Sequence, residues 1–402
     1  MTSNLVFFGF VLLLSGSLAG CALGTAALRR GRRRAAAPDG FAPAVSILKP
    51  LAGLDADLEE NLESFFRLDY PRDRFEVVFS FAYRDDPAFR VACRVADRHP
   101  EVRSTFVVDA RETGRNSKVS RLEAALRVAR HPTLLFSDGD VRVAPDFLAN
   151  AVSWLSDPAV GLVSHLFRSE GADSPGARVE SLYLDGILRP ATAGIARVLG
   201  RPCVVGKSIL VSRAALNSIG GIAPLRNHLA EDFLLGTLVR RAGYRVVLSS
   251  DEVSCRIGSR SLRGAWLRHR RWAILRRRLA GFSYASEALA SPTVLFAGAL
   301  LTSGGSAAGA TLAILLWSIR LGLELASAPR AARRPVTDLL LLPIRDLFAA
   351  AVFAAGLVGQ TTTWRGRRLR VGPGTLLLPA DARGRTVPAA LAALGRRSRA
   401  AA

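Results

Sequence analysis

The sequence predicts an α/β domain built on a mostly parallel sheet, set between an N-terminal transmembrane helix and C-terminal membrane helices. Three observations lead there. Apolar segments toward both ends of the 402 residues are long enough to enter a bilayer. Between them, short β-rich runs alternate with helical patterns, which is how a parallel sheet is assembled. Acidic clusters follow several of those runs directly, at the strand ends where open α/β sheets bind their ligands.

Composition narrows the function classes. Half of the residues are hydrophobic and mean hydropathy is +0.23, high for a water-soluble chain. The formal net charge is +22, and arginine supplies nearly all of it, since lysine occurs only at Lys49, Lys118 and Lys207. Abundant alanine and arginine point to a GC-rich genome. The arginines flank apolar segments, as the positive-inside rule expects, and form no basic module with aromatic platforms. Nucleic acid is therefore excluded as a partner, and a membrane is favoured. Cys21, Cys93, Cys203 and Cys255 are far apart and form no CxxC pair, which argues against a zinc site or a disulfide framework and fits a reducing cytoplasm.

Residues 1–34 read as a transmembrane anchor with a basic flank. Leu5 to Leu28 is an apolar segment without a charged residue and is followed by Arg29, Arg30, Arg32, Arg33 and Arg34. No basic residue precedes it, so the N-terminus is expected outside and the remainder in the cytoplasm. Leu18-Ala19-Gly20-Cys21 resembles a lipoprotein cleavage box, but the positive n-region of a secretory signal is missing. Residues 35–43 are a small-residue linker.

Residues 44–260 carry the globular pattern. Strands are expected at 45–49, 75–83, 104–109, 133–138, 160–167 and 245–249, with helices such as 57–67 and 118–130 between them. In the latter, Val119, Leu122, Ala125 and Leu126 recur at helical spacing. Residues 261–290 form a basic amphipathic, interfacial region. Residues 291–361 hold two or three more membrane segments, read from apolar stretches at about 292–327 and 336–361. These are separated by Arg330, Arg333 and Arg334, and Arg345 and Asp346 would place part of the last stretch in the interface. Residues 362–402 read as a basic tail.

Four clusters carry candidate chemistry. Ser137-Asp138-Gly139-Asp140 follows an apolar strand, and two carboxylates two residues apart can approach one hard cation and a diphosphate. It also reads as an ordinary Asp-Gly turn. Asp85-Asp86 follows another strand and, with Lys49, would line the same sheet edge, where a nucleotide should sit. Glu231-Asp232 opens a helix, where acidic residues serve as caps or where one can act as a general base. Arg268, Arg271 and Trp272 form an RxxRW run, suited to anionic lipid or to bidentate binding of phosphate. In an arginine-biased chain each retained lysine is also a candidate for a position that needs an ammonium.

The order Asp85-Asp86, Asp138, Asp232, RxxRW resembles the ceramide glucosyltransferase family and its bacterial, including hopanoid-glycosylating, relatives within the GT-A glycosyltransferase class. The resemblance extends over residues 46–71, 85–88, 116–122, 137–146, 203–213 and 229–236, and more weakly to 361–370. It implies a Rossmann-like GT-A domain, with Asp85 or Asp86 in the nucleotide-binding edge, to which the sheet-edge position of Lys49 and the retained Lys118 add two candidate contacts to the nucleotide-sugar. Asp138 would be at the metal–diphosphate site, with Asp140 completing a DxD for Mg²⁺ or Mn²⁺, and Asp232 would be the catalytic base. Arg268, Arg271 and Trp272 would stand near the diphosphate and acceptor. The second acidic residue, Asp140, departs from the usual animal form and points to a bacterial, inner-membrane relative with a cytoplasmic catalytic domain.

The implied activity is inverting transfer of a hexose from a UDP-sugar to the primary hydroxyl of ceramide. A hopanoid acceptor with N-acetylglucosamine as the sugar is the nearest alternative; VGKSIL (205–210) and the LAEDFLLG form lean to ceramide. A processive polysaccharide synthase is disfavoured by the few membrane segments, and an inactive binding protein by the intact acidic set.

Overall fold

The computed structural model describes residues 2–30, 38, 40–200, 203–327, 335–364 and 366–380. Arg32, Arg33 and Arg34, much of the 35–43 linker, the basic stretch Arg330, Arg333 and Arg334, and the tail from 381 onward lie outside the described residues.

The chain opens with α1 (Thr2–Arg30). The first half of the α/β domain follows: β1 (Val45–Pro50), α2 (Leu58–Phe66), β2 (Phe75–Phe81), α3 (Pro87–Asp97), β3 (Arg103–Val108), α4 (Ser117–Leu126), β4 (Thr133–Ser137), β5 (Val141–Arg142) and α5 (Phe147–Val152). The second half is β6 (Val160–Ala172), α6 (Pro175–Tyr183), α7 (Arg189–Arg197), β7 (Ser208–Ser212), α8 (Arg213–Ser218), α9 (Glu231–Arg241) and β8 (Arg245–Gly258). Then come α10 (Leu262–Ala280), α11 (Pro292–Thr302), α12 (Ala307–Ser327) and α13 (Pro335–Val358). A last sheet is made by β9 (Thr361–Trp364), β10 (Arg367–Val371) and β11 (Leu377–Pro379).

The main sheet has eight strands in the order β3-β2-β1-β4-β7-β6-β8-β5. Strands β1 to β4 run parallel, as do β6 and β8, while β7 is antiparallel to both of its neighbours and β5 to β8. Alternation along the strands feeds two cores. Val45 and Ile47 face Leu62, Phe65 and Phe66 of α2 and Val91 and Val95 of α3. Leu48, Val78 and Phe136 face Val119 and Leu122 of α4 and Leu235 and Val239 of α9. The sheet is therefore buried on both sides, as parallel sheets are. All six expected strands are present. The other two are β5, only two residues long, and β7, a five-residue run that sequence pattern does not distinguish from a buried helical turn.

Three helices among the described residues are long and apolar enough to cross a membrane: Asn4–Arg30, Ala307–Ala326 and Val336–Val358. The segment Leu262–Ala290 and α11 meet at a bend of 72°. At about 1.5 Å per residue, the 11 residues of α11 are too short for a core about 30 Å thick. Arg345 and Asp346 are fully buried within the helical bundle rather than at its margin. Arg345 pairs with Glu324 of α12 and, at 2.6 Å, with Asp346; Arg320 reaches Glu324 at 2.7 Å, and Thr293 N donates to Asp346 at 2.8 Å. Intramembrane charge is tolerated when it is paired in this way.

The sheet β9–β11 begins at Thr361, the end of the expected membrane stretch, and occupies much of the segment to Pro379 that was expected to belong to a basic tail. Its Leu369, Val371 and Leu377 pack on Leu229 and on Ile274 of α10.

Candidate active site

Strand β4 ends at Ser137, and the next three residues turn at the carboxyl edge of the sheet. All three lysines of the chain converge on this turn. Lys49, at the end of β1, is fully buried beneath it and donates to Ser137 Oγ (3.1 Å) and Asp138 O (2.9 Å). Its ammonium stands 3.6 Å from the centroid of the Phe65 ring. Burial pushes its pKa down to about 7 against the pull of Asp138 and Asp140. Lys49 thus braces the turn from below.

Lys118, the second residue of α4, bridges two acidic clusters. Its Nζ lies 2.8 Å from Asp138 Oδ1 and 3.2 Å from Glu231 Oε1, and it donates to Gly206 O at 3.1 Å. Burial opposes its charge, but Asp138 and Glu231 outweigh burial and hold its pKa above the usual range. Helix α4 begins here because the Asn116 side chain accepts from Val119 N. The Asn116 amide in turn donates to Glu231 Oε2 at 3.2 Å.

Lys207, just before β7, donates to both oxygens of Asp140, at 2.6 and 2.5 Å, and lies 3.4 Å from Asp138 Oδ2. Cys255 Sγ also donates to Asp140, at 3.3 Å. Burial alone would raise the Asp140 pKa, but Lys207 and Arg268 hold it below the ordinary carboxylate range. The turn needs Gly139: a Cβ there would lie 2.6 Å from Asp55 Oδ2, which brings a further carboxylate beside it.

Asp232 enters from the N-terminus of α9. Gly206 permits its approach, since a Cβ on Gly206 would stand 2.8 Å from Asp232 Oδ2. Asp232 Oδ1 accepts from Phe233 N at 2.7 Å. Burial, then the charge of Glu231, push its pKa up to about 7, with Lys118 opposing. A carboxylate poised there changes protonation near neutral pH, the property a general base requires.

Asp85 and Asp86 also lie at this edge, past the end of β2, but differ in use. Asp85 is exposed. Asp86 caps α3 by accepting from Ala88 N (2.9 Å) and ties down the neighbouring loop by accepting from Gly53 N (2.9 Å).

Helix α10 brings Arg268, Arg271 and Trp272 onto one face by i, i+3, i+4 spacing. The Arg268 guanidinium lies over the Trp272 ring at 4.7 Å and feels the charge of Asp140, so it reaches toward the turn. Below it, Glu180 of α6 is fully buried, accepts from Arg260 (2.7 Å) and His269 (3.0 Å), and lies 3.5 Å from Arg268. The sequence reading missed Glu180, because nothing in its local pattern marks it as the counter-charge of a helix 80 residues away. Asp55 was missed too, although it lies in a segment recognised for other reasons.

Among the described residues no group of three or more His, Cys, Asp or Glu is arranged to hold a metal ion. A magnesium-type cation, however, is commonly held by one or two carboxylates together with substrate phosphates and water. Asp138 is the better placed of the two for that role, since its side chain is a quarter exposed at the edge of the sheet, and an ion there would share it with Lys118 and Lys207. Asp140 is engaged by Lys207 through both oxygens.

Residues 12–377 match the family model described as glycosyl transferase family 21. The chain belongs to that family. Among similar proteins, ceramide glucosyltransferase 1 of Caenorhabditis elegans is 25% identical over 84% of this chain and 73% of its own length. Ceramide glucosyltransferase of Pyricularia oryzae is 23% identical over 82% of this chain and 85% of its own. Among solved structures, a mannosyltransferase from Pyrobaculum calidifontis, in complex with GDP-Man and Mn²⁺, superposes with a TM-score of 0.51. It is 22% identical and covers 88% of this chain and 99% of its own. That likeness fixes the fold of this family 21 chain as the GT-A type. With three membrane-length helices among its described residues, the protein is a membrane-associated glycosyltransferase.

Proposed function

We propose that the protein transfers a hexose from a UDP-sugar to the primary hydroxyl of ceramide with inversion, giving a β-glycosylceramide at the cytoplasmic face of a bacterial inner membrane. The observation that carries this reading is Asp232. Its carboxyl is lifted to about 7 and lies beside Gly206 and Lys118 at the carboxyl edge of the sheet, where a general base for a single displacement is wanted. The ceramide glucosyltransferase names of the relatives support the acceptor. Arg29 and Arg30 at the end of α1 support the orientation.

In this reading the nucleotide lies along the edge near Asp85 and Asp86, with its diphosphate toward Asp138, Lys118 and Arg268. Mg²⁺ or Mn²⁺ held by Asp138 would neutralise charge on the departing diphosphate. Asp140 would join such an ion only if its pairing with Lys207 changed. Asp232 takes the proton of the ceramide hydroxyl. The freed oxygen pair forms the new bond to the anomeric carbon as the bond to the β-phosphate oxygen breaks, and that electron pair leaves with UDP. Arg268 and Arg271 present guanidinium groups to the leaving charge. The acceptor hydroxyl lies at the bilayer surface. Helix α10 and the bent segment after it suit that plane, since Leu267 is half exposed and Phe282 fully exposed.

The test is to incubate membranes carrying the protein with ceramide, bacteriohopanetetrol, a panel of UDP-sugars, Mg²⁺ and Mn²⁺, and to read lipid products by mass spectrometry. Hexosylated ceramide, absent with Asp232→Asn, is expected. A glycosylated hopanoid would move the acceptor while keeping the chemistry, and no glycolipid at all would overturn the reading.

A further inference from the structure

The sheet β9–β11 grips the segment that leads into Asp232. Leu229 N donates to Thr375 O (2.9 Å), and Ala230 N donates to Thr375 Oγ1 (3.3 Å). Leu377 N donates to Asn227 O (2.7 Å), and His228 Nδ1 donates to Gly374 O (2.8 Å). From the opposite side, Asn116 N donates to Arg226 O (2.9 Å) and the Asn116 amide to His228 O (2.8 Å). Residues 226–231 are thus held between the start of α4 and the C-terminal sheet.

Thr375 stands out within this clasp. It is 1% exposed and adopts φ 64, a left-handed conformation that β-branched residues avoid. Gly374, just before it, takes φ 58 at little cost, so a second glycine would have satisfied the backbone. Strain of this kind persists where the surroundings over-determine it, and it collects at functional sites. What threonine adds is the hydroxyl. Helix α9 has no side-chain cap of its own, because Ala230 occupies the capping position. The Thr375 hydroxyl accepts the Ala230 N–H, two residues before the base.

The clasp is also continuous with the membrane. Strand β9 begins three residues after α13 ends, and Val371 N donates to Gln360 O at 2.8 Å. Arg270 of α10 donates to Thr361 O at 3.2 Å. One hydrogen-bonded path therefore runs from α13, past the RxxRW helix, to the base.

We propose that Thr375 is a positioning residue for Asp232, and that β9–β11 belongs to the catalytic unit, setting the base in register with the membrane helices. The proposal rests on the reading of Asp232 as the base.

Three variants test it. Thr375→Val keeps the shape and the strain but removes the acceptor oxygen. Thr375→Gly removes both the oxygen and the strain, so it is expected to fold at least as well. Thr375→Ser keeps the oxygen. Turnover of UDP-glucose and ceramide in nanodiscs and amide hydrogen exchange over residues 227–235 are measured for each. The Val and Gly variants are expected to lose about 10-fold in kcat with KM for UDP-glucose changed less than about 2-fold, and to exchange faster at Leu229 and Ala230. The Ser variant should match the wild type in both readouts. Wild-type kcat and protection in the Val and Gly variants would overturn the proposal, as would a Ser variant as impaired as Val. An Asp232→Asn protein run in parallel separates the two claims. If it keeps turnover, the base assignment fails, and hydrogen exchange alone then decides whether Thr375 holds the segment.

Discussion

Replacing Asp232 by Asn should weaken catalysis and strengthen the fold. Loss of a positioned general base costs about 10²- to 10⁴-fold in turnover. The stability effect follows from the environment of the carboxyl. Burial and Glu231 lift its pKa from an ordinary 3.8 to about 7. The folded state therefore binds the Asp232 proton more tightly than the unfolded chain does. Below about pH 4 both states are protonated, and the Asp and Asn proteins should be equally stable. As pH rises from about 4 to 7 the unfolded chain ionises freely while the folded one resists, so wild-type stability falls; above about 7 the loss is complete. At about 1.4 kcal/mol per tenfold in proton affinity, the full lift corresponds to about 4 kcal/mol. Asp232 is only half-buried, and solvent screening reduces this to about 2 kcal/mol. The assay is thermal unfolding of both proteins in nanodiscs at pH 4.5 and pH 8, with turnover measured alongside. The Asn variant should gain on the wild type between the two pH values. An Asn variant that is less stable than wild type at pH 8 would refute the reasoning, because it would mean that the ionised carboxylate is favourably paired.

Other predictions follow from the same geometry. The turnover of the wild type should rise with pH to a plateau above about pH 7, and Glu231→Gln, by removing the neighbouring negative charge, should move that rise to lower pH in a pH–rate profile. Lys207→Met leaves Asp140 buried and unpaired, which should cost about 3–5 kcal/mol in unfolding experiments, with much of the loss recovered by adding Asp140→Asn. Arg345→Met takes the counter-charge from Asp346 and leaves Glu324 with Arg320 alone within the helical bundle, and the variant should lose thermal stability in detergent while its UDP affinity, read by calorimetry, stays unchanged. Chelation of divalent cations should weaken UDP binding in the wild type and much less in Asp138→Asn, whose carboxylate would no longer share an ion with the diphosphate.

Much of this site was legible in the sequence because its parts lie at strand and helix ends, where local pattern and chemistry coincide. Asp138 follows an apolar strand and Asp232 opens a helix, so both were found where the sheet needs them. Treating the rare lysines as positions that need an ammonium identified three residues that the fold gathers around one turn. Their roles were less legible. Lys49 reads as a nucleotide contact but is buried beneath the turn, and the DxD reading of Asp140 could not foresee that Lys207 engages both its oxygens. Long-range partners left no local trace. Glu180 joins α10 only through tertiary packing. Strands β9 to β11 are short and rich in Thr and Arg, and their few apolar residues find a core only against Leu229 and Ile274. Strands β6 and β8 run on well beyond their apolar first halves, because pairing with each other stabilises segments that are polar in sequence.

The most direct test of the central claim is the anomeric configuration of the glycolipid made from an α-linked UDP-sugar, read by NMR on the isolated product. Direct displacement assisted by the Asp232 base predicts a β-linked sugar on the ceramide primary hydroxyl. An α-linked product would contradict the account, since a single displacement by the hydroxyl that Asp232 deprotonates inverts the anomeric centre.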